Sequence, residues 1–184
     1  MILLKILFLR HGETEWNREG KIQGGADIPL NAVGLRQAEK MRTLLCDRMP
    51  DCIIASPLKR ALQTADVLVQ GTRIPIVTDV RLRERGFGAF EGQPMHAVDF
   101  SGIWYPDCAE PPEGIEPLED FVRRVADALR DIRHQYAGKR VLVVSHGGVS
   151  IAASILTHHT PQNPYAKALY IDNCSVAEYS IDKI

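Results

Sequence analysis

The first strong signal along the chain is an apolar run, Ile6-Leu7-Phe8-Leu9, that stops on Arg10, His11 and Gly12. A short continuous run of this kind predicts a buried strand that delivers polar side chains to its own end. Glu15 to Ile28 has mixed polarity and carries Gly20, Gly24 and Gly25, which predicts a loop. Asn31 then predicts the N-cap of a helix to about Met49, with Leu35, Ala38, Met41 or Arg42, and Leu45 as its apolar stripe. Asp51 to Ala55 reads as a second buried strand ending on Ser56. Ser56-Pro57 predicts a capped helix start, and Ala61, Leu62, Ala65, Leu68 and Val69 keep helical spacing to Gly71. Ile74 to Val77 predicts a short third strand, followed by a glycine-punctuated turn from Leu82 to Gly92.

Gln93 to Ile115 breaks the pattern with Pro94, Pro106, Pro111 and Pro112, and gathers Phe100, Trp104 and Tyr105. The segment predicts an irregular lid, whose aromatics cover either the site or an edge of the core. Helical spacing returns from about Pro117 to Tyr136, with Leu118, Val122, Val125, Leu129 and Ile132 on one face and Arg123 and Arg124 off it, as solvated residues. Arg140 to Gly148 then repeats the opening: Val141-Leu142-Val143-Val144 runs into Ser145, His146 and Gly147. An apolar helix from Val149 to Leu156 follows, with His158 and His159 as caps or surface residues near its end, and Ala168–Ile171 and Ser175–Ile181 are strand-like. Strands alternating with helices predict an α/β fold with a mostly parallel central sheet. With no repeat, low-complexity stretch or linker, residues 1–184 are expected to form one domain.

Composition narrows the class. A chain of 184 residues with 45% hydrophobic and 24% charged content can bury a sizeable core. A net charge of -1 argues against nucleic-acid and anionic-membrane partners, so phosphate chemistry would rest on a local cluster of cations. The run from Ile2 to Leu9, broken by Lys5, is too short for a membrane span or a signal peptide. Cys46, Cys52, Cys108 and Cys174 lack C-x-x-C spacing, which fits free thiols and a cytoplasmic location.

In parallel sheets, ligands bind beyond the carboxyl ends of the strands. Arg10, His11 and the Gly12 turn therefore read as an anion site, the bland alternative being a strand that ends on a polar pair for solubility. Arg60 falls in the first turn of a helix, where a cation is unfavourable; either a bound phosphate resolves the conflict or the arginine is solvated. Asn17 and Gln23 are either amide donors to a ligand or solvated loop residues. Glu84, between Arg83 and Arg85, reads in isolation as a surface ion pair. Taken together these residues suggest phosphoryl transfer through a histidine. His11 attacks phosphorus, Arg10, Arg60 and His146 hold the equatorial oxygens, and Glu84, whose acid form a neighbouring phosphate dianion favours, protonates the leaving alkoxide. The cations are side chains, so no metal or other cofactor is called for.

Leu9-Arg10-His11-Gly12-Glu13-Thr14-Glu15-Trp16-Asn17 resembles the signature of the histidine phosphatase superfamily, the phosphoglycerate mutase-like proteins. The similarity runs on through Asp27-Ile28-Pro29-Leu30-Asn31 and Gly34, Ser56-Pro57-Leu58 with Arg60 and Gln63-Thr64-Ala65, Leu82-Arg83-Glu84 with Glu91-Gly92, and Val144-Ser145-His146-Gly147-Gly148. The resemblance implies a three-layer α/β/α sandwich and a phosphohistidine intermediate. By residue, it implies His11 as nucleophile, Arg10, Arg60 and His146 as the phosphate pocket, Glu84 as proton donor, Asn17, Gln23 and Gly147 as substrate contacts, and Asn173 as an architectural neighbour. It also implies a small phosphorylated metabolite as substrate and, as the family often does, a homodimer. One departure stands out: many members read Pro-x-Gly-Glu-Ser before the long helix, where this chain has Pro112-Glu113-Gly114-Ile115-Glu116, which leaves open what caps that helix.

Mutases of the family carry a long basic insertion between the proton donor and the second histidine. Here only Arg85 to Ser145 is available, and much of it reads as helix and strand, so a phosphatase is expected. Phosphoglycerate mutase is the second reading, and a binding protein that senses a phosphorylated ligand without turnover is the third.

Overall fold

The computed structural model describes residues 5–98, 114–158 and 171–181. Its elements are β1 (Lys5–Arg10), α1 (Glu15–Arg18), α2 (Ala32–Leu44), β2 (Cys52–Ala55), α3 (Lys59–Val69), β3 (Ile76–Thr78), α4 (Leu118–Gln135), β4 (Val141–Ser145), α5 (Gly147–His158) and β5 (Val176–Ser180). The strands form one sheet in the order β3-β2-β4-β1-β5. β1, β4, β2 and β3 pair in parallel, and β5 closes the β1 edge antiparallel.

Period-2 alternation divides the core between the two faces of this sheet. Ile6 and Phe8 of β1, Ile54 of β2 and Val141 and Val143 of β4 pack with Phe121, Val125, Leu129 and Ile132 of α4 and with Val149, Ile151 and Ala152 of α5. Leu9, Ile53, Ala55, Leu142 and Val144 point the other way, onto Ala38 of α2 and Ala61, Ala65 and Leu68 of α3. The result is the expected three-layer α/β/α arrangement.

Several expectations need correction. The segment after Glu13 starts with the helical turn α1: the Thr14 hydroxyl accepts from the Asn17 amide and the Asn17 side chain accepts from the Thr14 amide, both at 3.1 Å, a reciprocal cap that outweighs the mixed polarity. α2 ends at Leu44, and a 3₁₀ turn over Cys46–Arg48 completes the connection. Its stripe is also narrower than the spacing suggests: Leu35 is 41% exposed, and Gly34 and Ala38 make the buried face. α3 begins at Lys59, not Pro57, with Leu58 as N-cap residue. Its first amide is capped from a distance, the Lys59 N–H donating to Asp27 Oδ1 at 2.7 Å. α4 starts after Pro117 with no side-chain cap, in line with the departure from the family pattern. Phe100, Trp104 and Tyr105 of the expected lid, the Ala168–Tyr170 run and His159 lie outside the described residues, as does the side chain of His158.

Gly34 is on the buried face because α2 starts against the turn that follows β1. A Cβ on Gly34 would lie 2.2 Å from the Glu13 carbonyl oxygen, and one on Gly12 would lie 2.6 Å from that of Gly34. Two stretches of backbone approach here with no room for a methyl group. Gly34→Ala is expected to destabilise the fold by about 1–3 kcal/mol through overpacking. An unchanged midpoint of urea unfolding would show that α2 can move aside freely.

Candidate active site

The repeated pattern in the sequence has a simple geometric origin, because the two strands that end on histidine are neighbours. Arg10 and Ser145 are register partners, and the His11 amide donates to the Ser145 carbonyl at 2.9 Å. β2 is the next strand along, and the Ser56 amide donates to the Val144 carbonyl at 3.0 Å. Ser56, His146 and His11 therefore leave three adjacent strands at their carboxyl ends, with the two imidazole rings 5.2 Å apart at 60°.

His11 is buried, and its tautomer follows from its neighbours. Nδ1 lies 2.7 Å from the Gly12 carbonyl oxygen, which can only accept, so Nδ1 carries the proton. Nε2 faces the Arg60 Nε–H at 3.2 Å, which can only donate, so Nε2 presents its lone pair. Burial, then the Arg60 and Arg10 charges, hold the pKa of this ring well below the usual histidine range. The turn beneath it is pinned: the Gly12 amide donates to Thr64 Oγ1 at 3.0 Å and Asn173 Nδ2 to the His11 carbonyl at 3.1 Å, the architectural role expected of Asn173.

Arg60 is fully buried and donates to the carbonyls of Ala26 at 2.6 Å and Gly24 at 2.8 Å. It is not solvated, and burial lowers its pKa to about 10. Arg10, also buried, gives Nη1 to the Ile171 carbonyl at 2.9 Å. His146 Nε2 meets Ser56 Oγ at 2.7 Å, while its buried Nδ1 has no partner among the described residues. Burial, then Arg60, His11 and Arg10, keep this ring neutral as well.

Glu84 is not a surface ion pair. Its Oε1 accepts from the Arg85 amide at 2.9 Å and its Oε2 from the Gly148 amide at 3.0 Å, which binds it to the first turn of α5 beside His146. Gly147 opens that helix. Asn17 and Gln23 have their oxygens engaged: Asn17 Oδ1 accepts from the Thr14 amide and from Asn173 Nδ2 at 3.2 Å, and Gln23 Oε1 from the Thr14 hydroxyl at 3.0 Å. The NH₂ donors of both amides have no partner among the described residues.

Two arginines and two neutral histidines, each with an available ring nitrogen, make a cationic site suited to an oxyanion. The fold brings the predicted set together and gives Ser56 and Arg124 contacts that the sequence does not show. Ser56 Oγ accepts from the Leu58 amide at 3.3 Å, as a hydroxyl at that helix start should, but it also holds His146, and that second contact is visible only once β2 is known to flank β4. Arg124, off the apolar stripe and expected to be solvated, bonds to the Glu84 turn.

Both histidines bind protons less readily in the folded than in the unfolded chain. Stability is therefore complete above the ordinary histidine pKa of about 6.5 and is lost as pH falls through it toward the lowered folded values. The expected slope is roughly 1 kcal/mol per pH unit for each histidine. Urea unfolding at pH 7.5 and 5.5 checks this, and a His146→Asn variant with the same pH dependence as the parent would contradict it.

The chain is 36% identical over 172 residues to the uncharacterized phosphatase PhoE of Bacillus subtilis, covering 94% of this chain and 86% of PhoE. It is 33% identical over 183 residues to the probable phosphoglycerate mutase GpmB of Yersinia enterocolitica, covering 95% of this chain and 84% of GpmB. Among solved structures, the phosphoserine phosphatase of Entamoeba histolytica in complex with 3-phosphoglyceric acid superposes with a TM-score of 0.81 at 26% identity, over 95% of this chain and 89% of that one. The sequence profile of the histidine phosphatase superfamily (branch 1) matches residues 6–183, from β1 through β5 and so across every strand that carries the pocket, and the chain belongs to that superfamily.

Proposed function

We propose that the chain hydrolyses small phosphate monoesters in two steps through a phosphohistidine on His11 Nε2. The observation that carries this reading is the tautomer: a buried, neutral imidazole with its proton on Nδ1 and its lone pair toward the arginines is prepared for in-line attack on phosphorus. As the N–P bond forms, positive charge develops on the ring, and the Gly12 carbonyl accepting from Nδ1 stabilises it. Arg10, Arg60 and His146 bind the equatorial oxygens, with NH₂ donors from Asn17 and Gln23 and the Gly147 turn at the rim. The ester P–O bond breaks and Glu84 gives its proton to the departing alkoxide. The resulting carboxylate takes a proton from water, whose oxygen displaces His11 from phosphorus and releases inorganic phosphate. The chemistry is complete with side chains alone.

The substrate class is supported by the phosphoserine phosphatase relative, whose bound 3-phosphoglyceric acid is a small phosphate ester. The test is a phosphate-release panel over phosphosugars, phosphoglycerates and phosphoserine, with trapping of a radiolabelled intermediate. The expected label is acid-labile and base-stable, and release of phosphate without such a label would sink the covalent mechanism. The second reading, mutase activity, draws on the GpmB relative. Rapid isomerisation of 3-phosphoglycerate with a bisphosphoglycerate primer and no phosphate release would establish it instead.

A further inference from the structure

Three carbonyls of the turn that carries Glu84 are held by a single side chain from outside it. Arg124, on the second turn of α4, donates Nη1 to the carbonyls of Arg81 at 2.5 Å and Arg83 at 2.7 Å, and Nη2 to that of Glu84 at 3.1 Å. Its remaining N–H groups go to Glu116, Nε to Oε1 at 2.6 Å and Nη2 to Oε2 at 2.8 Å. All five donors of the guanidinium are thus engaged. The intervening carbonyl, that of Leu82, accepts from Ser145 Oγ at 2.7 Å, one residue before His146. Glu116 closes the far side: its Oε2 accepts from the Gly86 amide at 3.1 Å, its own amide donates to the Gly86 carbonyl at 2.9 Å and its carbonyl accepts from Arg85 Nε at 2.8 Å.

Four successive carbonyls, 81 to 84, are therefore fixed by side chains from α4 and β4, where a loop in contact with solvent would leave them to water. The ion pair is mostly sheltered, the side chains being 22% and 23% exposed, and the guanidinium lies 4.7 Å from the centre of the Phe121 ring. Stability alone would be served by carbonyls anywhere in the turn. These converge on the residue whose carboxylate must meet a leaving group.

We propose that Arg124, held by Glu116, is a positioning residue that sets the Glu84 carboxylate for proton transfer. This rests on Glu84 being the acid of the proposed reaction. Arg124 touches no substrate and acts only through the placement of that turn. Lysine, with three donors on a point charge, cannot reproduce the fork.

The test compares Arg124→Lys, Glu84→Gln and the double variant on two esters, β-glycerophosphate, whose alkoxide needs a proton to leave, and p-nitrophenyl phosphate, whose phenolate departs without one. Arg124→Lys is expected to lower kcat/KM, which ends with transfer to His11 and so omits the hydrolysis both esters share, by about 10- to 100-fold on the alkyl ester, the scale of a misplaced reacting group, with kcat/KM on the aryl ester changed by less than about 3-fold. Glu84→Gln should show the same split more strongly, and the double variant should be no worse than Glu84→Gln alone. Equal losses on both esters, or additive losses in the double variant, would reduce Arg124 to a structural residue. A split in Glu84→Gln without one in Arg124→Lys overturns the positioning role alone, whereas no split in Glu84→Gln overturns the acid assignment and this proposal with it. Glu116→Gln, which keeps shape and removes the charge, carries the same comparison if Arg124→Lys does not fold.

Discussion

His11→Ala is expected to abolish turnover, with a loss on the order of 10⁵-fold or more, because it removes the atom to which the proposed reaction transfers the phosphoryl group. The size of the loss follows from the arrangement of the pocket. Arg10, Arg60 and His146 remain to bind a phosphate ester, so KM or an inhibition constant for phosphate should change far less than kcat. No other described residue presents an unprotonated ring nitrogen in the same place: His146 Nε2 is engaged by Ser56 at 2.7 Å, and its ring stands 5.2 Å from that of His11. The variant should still fold, since it loses a buried imidazole that is costly to protonate and an internal bond to the adjacent Gly12 carbonyl. Steady-state phosphate release and a thermal melt check both parts. A folded His11→Ala enzyme within about 100-fold of the parent would remove the nucleophile from its assigned role, since that residue of activity is more than binding and electrostatics alone leave behind.

How much of this was readable from the chain can be traced through particular residues. The strands were legible because Ile6 to Leu9 and Val141 to Val144 are buried on both faces and so read as continuous apolar runs. The histidines and arginines were legible because they follow those runs directly. Arg60 poses a local electrostatic conflict that is visible in the sequence, yet its partial resolution by the Gly24 and Ala26 carbonyls is not, because those lie 36 and 34 residues away in a loop without periodicity. Glu84 looked like a surface ion pair because its sequence neighbours are arginines; in the structure its partners are backbone amides, one of them 64 residues on. Arg124 shows the same limit. Helical periodicity says which residues leave the apolar face, but not whether a loop of carbonyls waits there to receive them. The cap of α3 was misplaced for the same reason, Asp27 reaching Lys59 across 32 residues.

Arg60 supports the second large effect. It is a fully buried cation with no salt bridge to a carboxylate among the described residues; its partners are two carbonyls and the Nε2 lone pair of His11. Glu84, Asp27 and Glu91 favour its charge only through space, and burial still lowers its pKa to about 10. A charge kept in such surroundings at a cost is explained by an anion that arrives with the substrate and whose charge shifts onto oxygens beside it in the transition state. Arg60→Met is therefore expected to lower kcat/KM by about 10²- to 10³-fold, the scale seen when one preorganised oxyanion donor is removed. Its effect on stability should be small by comparison. Relief of a buried charge offsets the roughly 1–3 kcal/mol for each carbonyl left without a donor, here those of Gly24 and Ala26. Inorganic phosphate should raise the melting temperature of the parent by binding only the folded chain, and that shift should shrink or vanish in Arg60→Met. Turnover within about 10-fold of the parent together with an intact phosphate-induced shift would mean that Arg60 serves the Gly24–Ala26 loop and not the phosphoryl group, and the charge in the pocket would then have to come from Arg10 alone.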